Sequence, residues 1–599
     1  MTTIDKLAAI RQVMQKENLA AYIIPGNDPH ASEYMAPYWQ EMQWMSGFQG
    51  ESGTLVVTLD KALLWTDSRY YLQATTELAG STIELMRESD VDCPSISDWL
   101  CQHVQGVVGV NPEMYSVRVY TDLRLDLGNG GLELRSIDLI APLWTNDRPA
   151  LPASPVMVYD EQYAGETTTD KLIRVRRVLE ERRADALIIS ALDEIGWLLN
   201  IRGKDIEYTP CVIAYVVVEK QRCTLFVENA KLGTEARAYF QRMNVTVAPY
   251  DAVFDYLKNL SAKAVLLDSS RVNEALCESI APEAKRMMLT PCPVQVMMST
   301  KNQTELAGER IAMREDAVAL VRFFLWLDTY MQNPDHAVLD EVDIADRLHA
   351  FRAKGKNFMD ESFATIAGWK ANGAIVHYHA VKGTCAKIEG DGVLLLDSGG
   401  QYLDGTTDIT RTVWIGNESN IPNRLKHDFT LVLKGHIALA RARFPKGTRG
   451  NQLDILAHQF MWQEGITFGH GTGHGVGHYM GCHEGPSNIR TDNNPNPIRL
   501  GQVFSDEPGI YRTGEYGIRT ENLITAVPAP KTEHTTGEEY YQFEVLTLCP
   551  YDTRLIDLSM LTDDEKTWIN DYHKHVYQEI APMLTDDEQL YLKQKTKTI

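Results

Sequence analysis

Three glycine-punctuated segments between residues 392 and 527 constrain this chain more than anything else in it. The first, GVLLLDSGGQYLDGTTDITRTVWIG (Gly392 to Gly416), reads as strand, turn, strand. Val393 to Leu396 is an apolar run ending on Asp397, and Gly399, Gly400 and the Asp404-Gly405 pair supply turn chemistry. On the returning strand Asp408, Thr410 and Thr412 share one face, with Ile409, Arg411 and Val413 on the other. A folded hairpin therefore brings Asp397 close to Asp408. The third segment, VFSDEPGIYRTGEYGIRTENLITAV (Val503 to Val527), repeats the arrangement with Gly514 at its tip. Glu507 and Glu521, each seven residues from Gly514, would face each other across the ladder. Opposed carboxylates repel unless a proton or cation lies between them. On apolar-flanked strands a cation is the better explanation.

Between the two hairpins lies FGHGTGHGVGHYMGCHEGP (Phe468 to Pro486). It contains no Gly-Lys-Ser/Thr, so it is not a phosphate loop, and His483-Glu484 lacks the second histidine of a zincin helix. Alternating glycines argue against a helix and for a strand or loop whose backbone approaches a ligand. His470, His474, His478 and His483 offer imidazoles for coordination or proton transfer, with His478 read as a core residue. Asp397, Asp408, His474, Glu507 and Glu521 together make a set of four carboxylates and one histidine. Two divalent ions would neutralise it, and its oxygen-rich character favours Mn2+ over Zn2+.

The rest of the chain is ordinary for a soluble globular protein, with 44% apolar and 23% charged residues. A net charge of −23 makes nucleic acid and anionic membranes poor partners. No run approaches the roughly 18 apolar residues of a membrane span, and the N-terminus reads as an amphipathic helix, not a signal peptide. The nine cysteines are scattered without a Cys-x-x-Cys pair, which indicates reduced thiols in a cytoplasmic protein. Cys482 lies beside the site, but nothing in the sequence marks it as a nucleophile.

Three sections are apparent. Residues 1–153 and 154–300 share a grammar: a helix (about 4–17, and Asp170 to Glu180), a strand (Ala20 to Ile24, and Ala186 to Ser190), then β-rich pairs (Thr54 to Thr58 with Ala62 to Thr66, and Val212 to Val218 with Cys223 to Val227). This suggests a duplicated α/β unit. Residues 301–599 open with a helix over about Gln303 to Met331, carry the three segments above, and end in a helical tail from Thr562. Nine of the sixteen histidines fall between His377 and His483.

The ordered set His377, Asp397-Ser-Gly, Asp408-Ile-Thr, His470-Gly-Thr-Gly-His474, His483-Glu-Gly-Pro, Glu507-Pro-Gly and Arg519-Thr-Glu521 resembles the pita-bread metallopeptidases, the group of methionine aminopeptidase, prolidase and aminopeptidase P. Within it the chain is most similar to the long, three-domain Xaa-Pro aminopeptidases. Tyr22-Ile-Ile-Pro, Ser46-Gly-Phe, Trp65-Thr-Asp-Ser-Arg-Tyr, Leu192-Asp-Glu-Ile-Gly-Trp and Asn200-Ile-Arg-Gly extend the likeness over nearly the whole length. The resemblance implies two creatinase-like α/β domains followed by an α+β pita-bread catalytic domain. It also implies two divalent ions, usually Mn2+ with Co2+ or Zn2+ as alternatives, and a homodimer. By position the metal ligands would be Asp397, Asp408, His474, Glu507 and Glu521. His377, His470 and His483 would be catalytic histidines, and Arg519 matches an arginine before the last ligand. His379 and His478 depart from the pattern without removing a ligand.

The expected reaction is removal of an N-terminal residue from peptides with a penultimate proline, by attack of a metal-bridging hydroxide. Glu507 would carry the proton, and His377 or His483 would hold the developing oxyanion. Prolidase, which cleaves Xaa-Pro dipeptides with the same ligands, is the alternative. A peptide-binding module without catalysis is a remote third.

Overall fold

A computed structural model of the chain describes residues 1–50, 52–333, 335 and 337–599. They form two compact units, one of Met1–Tyr159 with Glu166–Val294, the other of Asp160–Gly165 with Gln295–Ile599.

In the first unit, helix α1 (Thr3–Lys16) starts at a capping box, Thr2 with Asp5, and buries Leu7, Ile10 and Met14. The adjoining sheet contains β1 (Ala21–Pro25), β2 (Thr54–Thr58), β3 (Ala62–Thr66), β4 (Glu84–Arg87), β5 (Val107–Val110) and β6 (Glu133–Ser136), in the order β4-β3-β2-β1-β5-β6. The duplicated grammar is a duplicated topology. After helix α2 (Thr168–Arg182), a second sheet of β7 (Ala186–Ile189), β8 (Ala214–Glu219), β9 (Cys223–Val227), β10 (Thr246–Ala248), β11 (Ala264–Asp268) and β12 (Lys285–Leu289) runs β10-β9-β8-β7-β11-β12. In each sheet the first strand pairs antiparallel with the second and parallel with the fifth. Strands β7, β8, β9 and β11 read as near-continuous apolar runs because both faces of this sheet are covered.

The second unit is built around α3 (Gln303–Gln332), which opens on an Asn302–Glu305 capping box. Helix α4 (Glu341–Arg352) follows, then β13 (Ile366–Trp369), β14 (Gly392–Ser398) and β15 (Ile409–Ile415), a sheet with β14 at its centre. Both faces of β14 are buried. Leu394 and Leu396 pack with Leu320 and Phe323 of α3 and Leu348 of α4, while Val393 joins a second core with Phe429, Val432 and Ile437 of α5 (Asn423–Ala440). Each such side chain contributes about 1.5–3 kcal/mol by burial, so the strand carrying Asp397 is firmly fixed.

Helix α6 (Gly450–Trp462) precedes a six-stranded sheet. Its strands are β16 (Arg443–Pro445), β17 (Gly473–Gly475), β18 (Glu484–Ile489), β19 (Val503–Asp506), β22 (Asn522–Pro528) and β23 (Tyr540–Val545), in the order β16-β23-β22-β19-β17-β18. A separate ribbon of β20 (Gly509–Arg512) and β21 (Tyr516–Arg519) extends from β19 and β22. The expected tail is α7 (Asp563–Ile580), capped by Thr562, followed by α8 (Asp586–Lys595). Among the described residues no helix is long and apolar enough to cross a membrane.

Candidate metal centre

The first carboxylate hairpin is more elaborate than strand, turn, strand. β14 and β15 pair from Gly392↔Ile415 to Ser398↔Ile409, which sets Asp397 opposite Thr410 and leaves Asp408 just ahead of β15. Residues 400–406 are not a simple turn. Gly400–Tyr402 and Gly405–Thr406 leave to form a small sheet with Phe358–Glu361. The crossing point is Gly399, where a Cβ would lie 2.0 Å from the Thr407 carbonyl oxygen and 2.2 Å from Ser362 Oγ.

The second hairpin is centred on Gly514, whose φ of 78° suits a tight turn. The pairs Asp506↔Asn522 and Gly509↔Arg519 keep one register, and that register puts Glu507 opposite Glu521. Both glutamates sit where the ladder opens. Their amides bond outward instead, Glu507 N–H to the Thr472 carbonyl at 2.8 Å and Glu521 N–H to the Thr410 carbonyl at 3.2 Å. The gap thus admits the segment carrying His474 on one side and the strand following Asp408 on the other.

The glycines around His474 serve a different purpose from the expected one. A Cβ on Gly473 would stand 2.0 Å from the Ser505 carbonyl oxygen, and one on Gly475 would stand 2.2 Å from that of Glu484. They admit neighbouring strands, not a ligand. His474 itself presents its ring in a defined state. Nδ1 lies 2.9 Å from the Gly475 carbonyl, which can only accept, so Nδ1 carries the proton. Nε2 faces the carboxylates, 3.3 Å from Asp408 Oδ2 and 3.6 Å from Glu507 Oε1. Donor atoms of Asp408, His474 and Glu521 all lie within 4.8 Å of one another.

Each carboxylate has an outer partner. Thr410 Oγ1 donates to Glu521 Oε2 at 2.8 Å, Ser505 Oγ to Glu507 Oε1 at 3.1 Å, and Cys482 Sγ to Asp408 Oδ2 at 3.2 Å. Asp397 Oδ2 accepts from Arg519 Nη2 at 2.5 Å and Nε at 3.1 Å. Its Oδ1 is buried with no hydrogen-bond partner among the described residues. Such outer contacts orient first-layer metal ligands.

The charges of this cluster do not balance. Burial, then the charges of Asp408, Asp397 and Glu507, push the Glu521 carboxyl well above its usual range. Burial raises Glu507 to about 7 despite the attraction of His474. Asp397 is also raised, by burial against the opposing pull of Arg519. Burial works against Asp408 ionising, but His474 and His483 outweigh it and hold that carboxyl low. Three buried carboxylates and the half-buried Glu507 crowd around one imidazole, with Arg519 bonded to Asp397 alone among them, and need added positive charge. The donor set fits two hard or borderline divalent cations.

The structure also locates the remaining expected residues. His483 is exposed, its ring centroid 4.1 Å from that of His474. His377 and His379 are exposed on the loop after Trp369, and the charge of His377 reaches His470. His470 is engaged through both nitrogens. Nδ1 donates to the Gly471 carbonyl at 2.9 Å, so Nε2 accepts from the Tyr511 hydroxyl at 2.7 Å. Tyr511 in turn accepts from Arg519 Nη1 at 2.8 Å. Burial and the nearby Arg519 charge push His470 down to about 3, which keeps it neutral. Tyr511 was not legible in the sequence, since only the hairpin register places it between His470 and Arg519. His478 is buried and bonded to Glu309 at 2.8 Å, as a core histidine.

Residues 308–527 match the model of metallopeptidase family M24, and residues 539–599 that of the C-terminal region of this peptidase. Residues 6–141 and 147–305 each match a creatinase/prolidase N-terminal domain. The probable Xaa-Pro aminopeptidase P of Podospora anserina is 40% identical over 608 residues, covering 98% of this chain and 88% of that protein. The chain belongs to the Xaa-Pro aminopeptidase P group of metallopeptidase family M24. An X-prolyl aminopeptidase of Caenorhabditis elegans, a cytosolic enzyme with a di-nuclear active site, is 36% identical with a TM-score of 0.94 over 100% of both chains. An Xaa-Pro dipeptidase of Bacillus anthracis, 20% identical with a TM-score of 0.50, covers 64% of this chain and 99% of its own, and shares the fold alone. The M24 peptidase fold, with two creatinase-type domains before it, is therefore the architecture of this chain.

Proposed function

We propose that this chain removes the N-terminal residue from peptides whose second residue is proline, using two divalent ions held by Asp397, Asp408, His474, Glu507 and Glu521. One observation carries the reading: donor atoms of Asp408, His474 and Glu521 converge within 4.8 Å, and Asp397 and Glu507 add their charge to the same cluster. Mn2+ is the proposed metal because the donors are mostly oxygen. We place the enzyme in the cytoplasm as a homodimer. The free state of all nine cysteines supports the first, and the family resemblance supports the second. Domain boundaries near residues 153 and 300 are supported by the repeated sheet topology.

Bound ions would supply Lewis-acid polarisation of the scissile carbonyl and an acidified water. The chain's own groups do the rest. Glu507, with Oε1 held by Ser505, takes the proton of the attacking water and returns it to the departing proline nitrogen. His377 or His483 donates to the carbonyl oxygen as it gains charge. His470 moves no proton, because both its nitrogens are committed; it steadies Tyr511 and, through it, Arg519. Asp397 and Asp408 attract the substrate's amino terminus, which limits cleavage to the first bond. A penultimate proline offers no N–H, so a site that does not depend on that donor tolerates it.

The test uses chelated protein offered Arg-Pro-Pro, Arg-Ala-Ala and Arg-Pro, with and without Mn2+. Arginine release from Arg-Pro-Pro only, and only with metal, is the expected result. Cleavage mainly of the dipeptide would make the chain a prolidase instead. No cleavage with any metal would leave a binding module.

A further inference from the structure

Glu341, the first residue of α4, has no exposed surface. Its Oε1 accepts from the Trp369 amide at 2.7 Å and Asn372 Nδ2 at 3.0 Å. Its Oε2 accepts from the Tyr378 hydroxyl at 2.7 Å, the Ala386 amide at 2.7 Å and Asn372 Nδ2 at 3.1 Å. Asn372 also donates to the Tyr378 oxygen at 2.9 Å. A buried carboxylate is costly unless its lone pairs are used, and here both oxygens are fully used. These donors run from the last residue of β13 through the connection to β14, and they bracket His377: Trp369 and Asn372 precede it, Tyr378 and Ala386 follow it.

Further contacts fix the base of the same loop. The Glu341 amide donates to the Ala386 carbonyl at 3.2 Å and the Ile388 amide to the Leu339 carbonyl at 2.8 Å. Lys382 Nζ bridges Asp340 at 2.9 Å and Asp343 at 2.6 Å. On its other side the loop rests on β21. A Cβ on Gly517 would fall 1.7 Å from the Gly373 carbonyl oxygen, and Gly517 lies two residues before Arg519. The loop is thus secured to a helix start and to the strand leading into the carboxylate cluster, while His377 stays exposed.

We propose that Glu341 is a positioning residue for the peptidase reaction: through Tyr378 and Asn372 it shapes the loop that presents His377 to the substrate carbonyl. This rests on the reading of His377 as a substrate-facing donor. The carboxylate itself never meets substrate. It acts by fixing where the imidazole stands, and a misplacement of about 1 Å can cost a factor of about 100 in rate.

Tyr378→Phe removes the hydroxyl beside His377 without touching a metal donor, and Glu341→Gln turns an amide nitrogen toward donors. The expected result for Tyr378→Phe is a kcat on Arg-Pro-Pro about tenfold lower, with KM, metal content and melting temperature unchanged. Glu341→Gln should lose more. In a His377→Ala background Tyr378→Phe should have no further effect, because both changes act through one imidazole. Equal losses from Tyr378→Phe in both backgrounds, or no loss in the wild-type background while His377→Ala is impaired, would overturn the positioning role alone. A His377→Ala enzyme as active as wild type would remove the reading of His377 and this proposal with it. If Glu341→Gln does not fold, Tyr378→Phe and the cycle still decide.

Discussion

Glu521→Gln is expected to lower kcat by about a thousandfold or more while the metal-free protein becomes less sensitive to alkaline pH. The first half follows from removing a charged donor from the set proposed to hold two cations, whose contribution to catalysis would be several kcal/mol. The second half follows from the sign of its shift. Burial and three neighbouring carboxylates raise the Glu521 carboxyl well above its ordinary value. A raised carboxyl contributes stability that is fully present below its unfolded value and is lost as pH rises through its folded value. Chelated wild-type protein should therefore melt at progressively lower temperature as pH rises, and Glu521→Gln should lessen that slope. Added Mn2+ should raise the melting temperature of wild type by mass action and have much less effect on the variant. Activity within tenfold of wild type would contradict the assignment of Glu521.

Arg352→Met should be among the most destabilising single changes in the second unit. Arg352 has no exposed surface and bonds Asp316 at 2.7 and 3.3 Å, Glu361 at 3.0 Å and Ser398 Oγ at 3.0 Å. Asp316 and Glu361 are themselves buried. Methionine fills similar volume but removes the buried cation between the two carboxylates, leaving Asp316 with the Tyr402 hydroxyl and Glu361 with His349, a change that costs about 3–5 kcal/mol. At roughly 2 °C per kcal/mol in a unit this large, melting should fall by several degrees. Because Ser398 follows Asp397 in β14, activity should fall too. Asp316→Asn placed on top of Arg352→Met should recover part of the stability by removing one buried negative charge. An unchanged melting temperature, or a double variant less stable than the single, would contradict this account.

Much of the site was legible because hairpins convert sequence spacing into spatial register. Gly514 fixes the centre of its hairpin, so Glu507 and Glu521 oppose each other at equal distances even though the ladder is broken between them. The apolar run before Asp397 and the alternation after Asp408 likewise define β14 and β15. The duplicated N-terminal topology was visible as two repeats of helix, strand and β-pair. The excursion at residues 400–406 was not, because it depends on Gly399 being crossed by the distant Thr407 and Ser362. The clamps of Glu341 and Arg352 and the His470–Tyr511–Arg519 relay were hidden for the same reason. They join residues from separate elements, and no periodicity in any one of those elements signals the partner. The glycines flanking His474 gave a true signal of close approach, yet the approaching group is the next strand.

Five side chains on two hairpins and one glycine-rich strand are proposed to hold a pair of catalytic metal ions. Metal content against activity during titration of chelated protein with Mn2+, followed by elemental analysis after removing unbound metal, tests this directly. Two ions should be retained per chain, with arginine release from Arg-Pro-Pro rising in step with occupancy, and fewer than two in His474→Ala. Full activity in the chelated protein, or two ions still bound when His474 is gone, would contradict it.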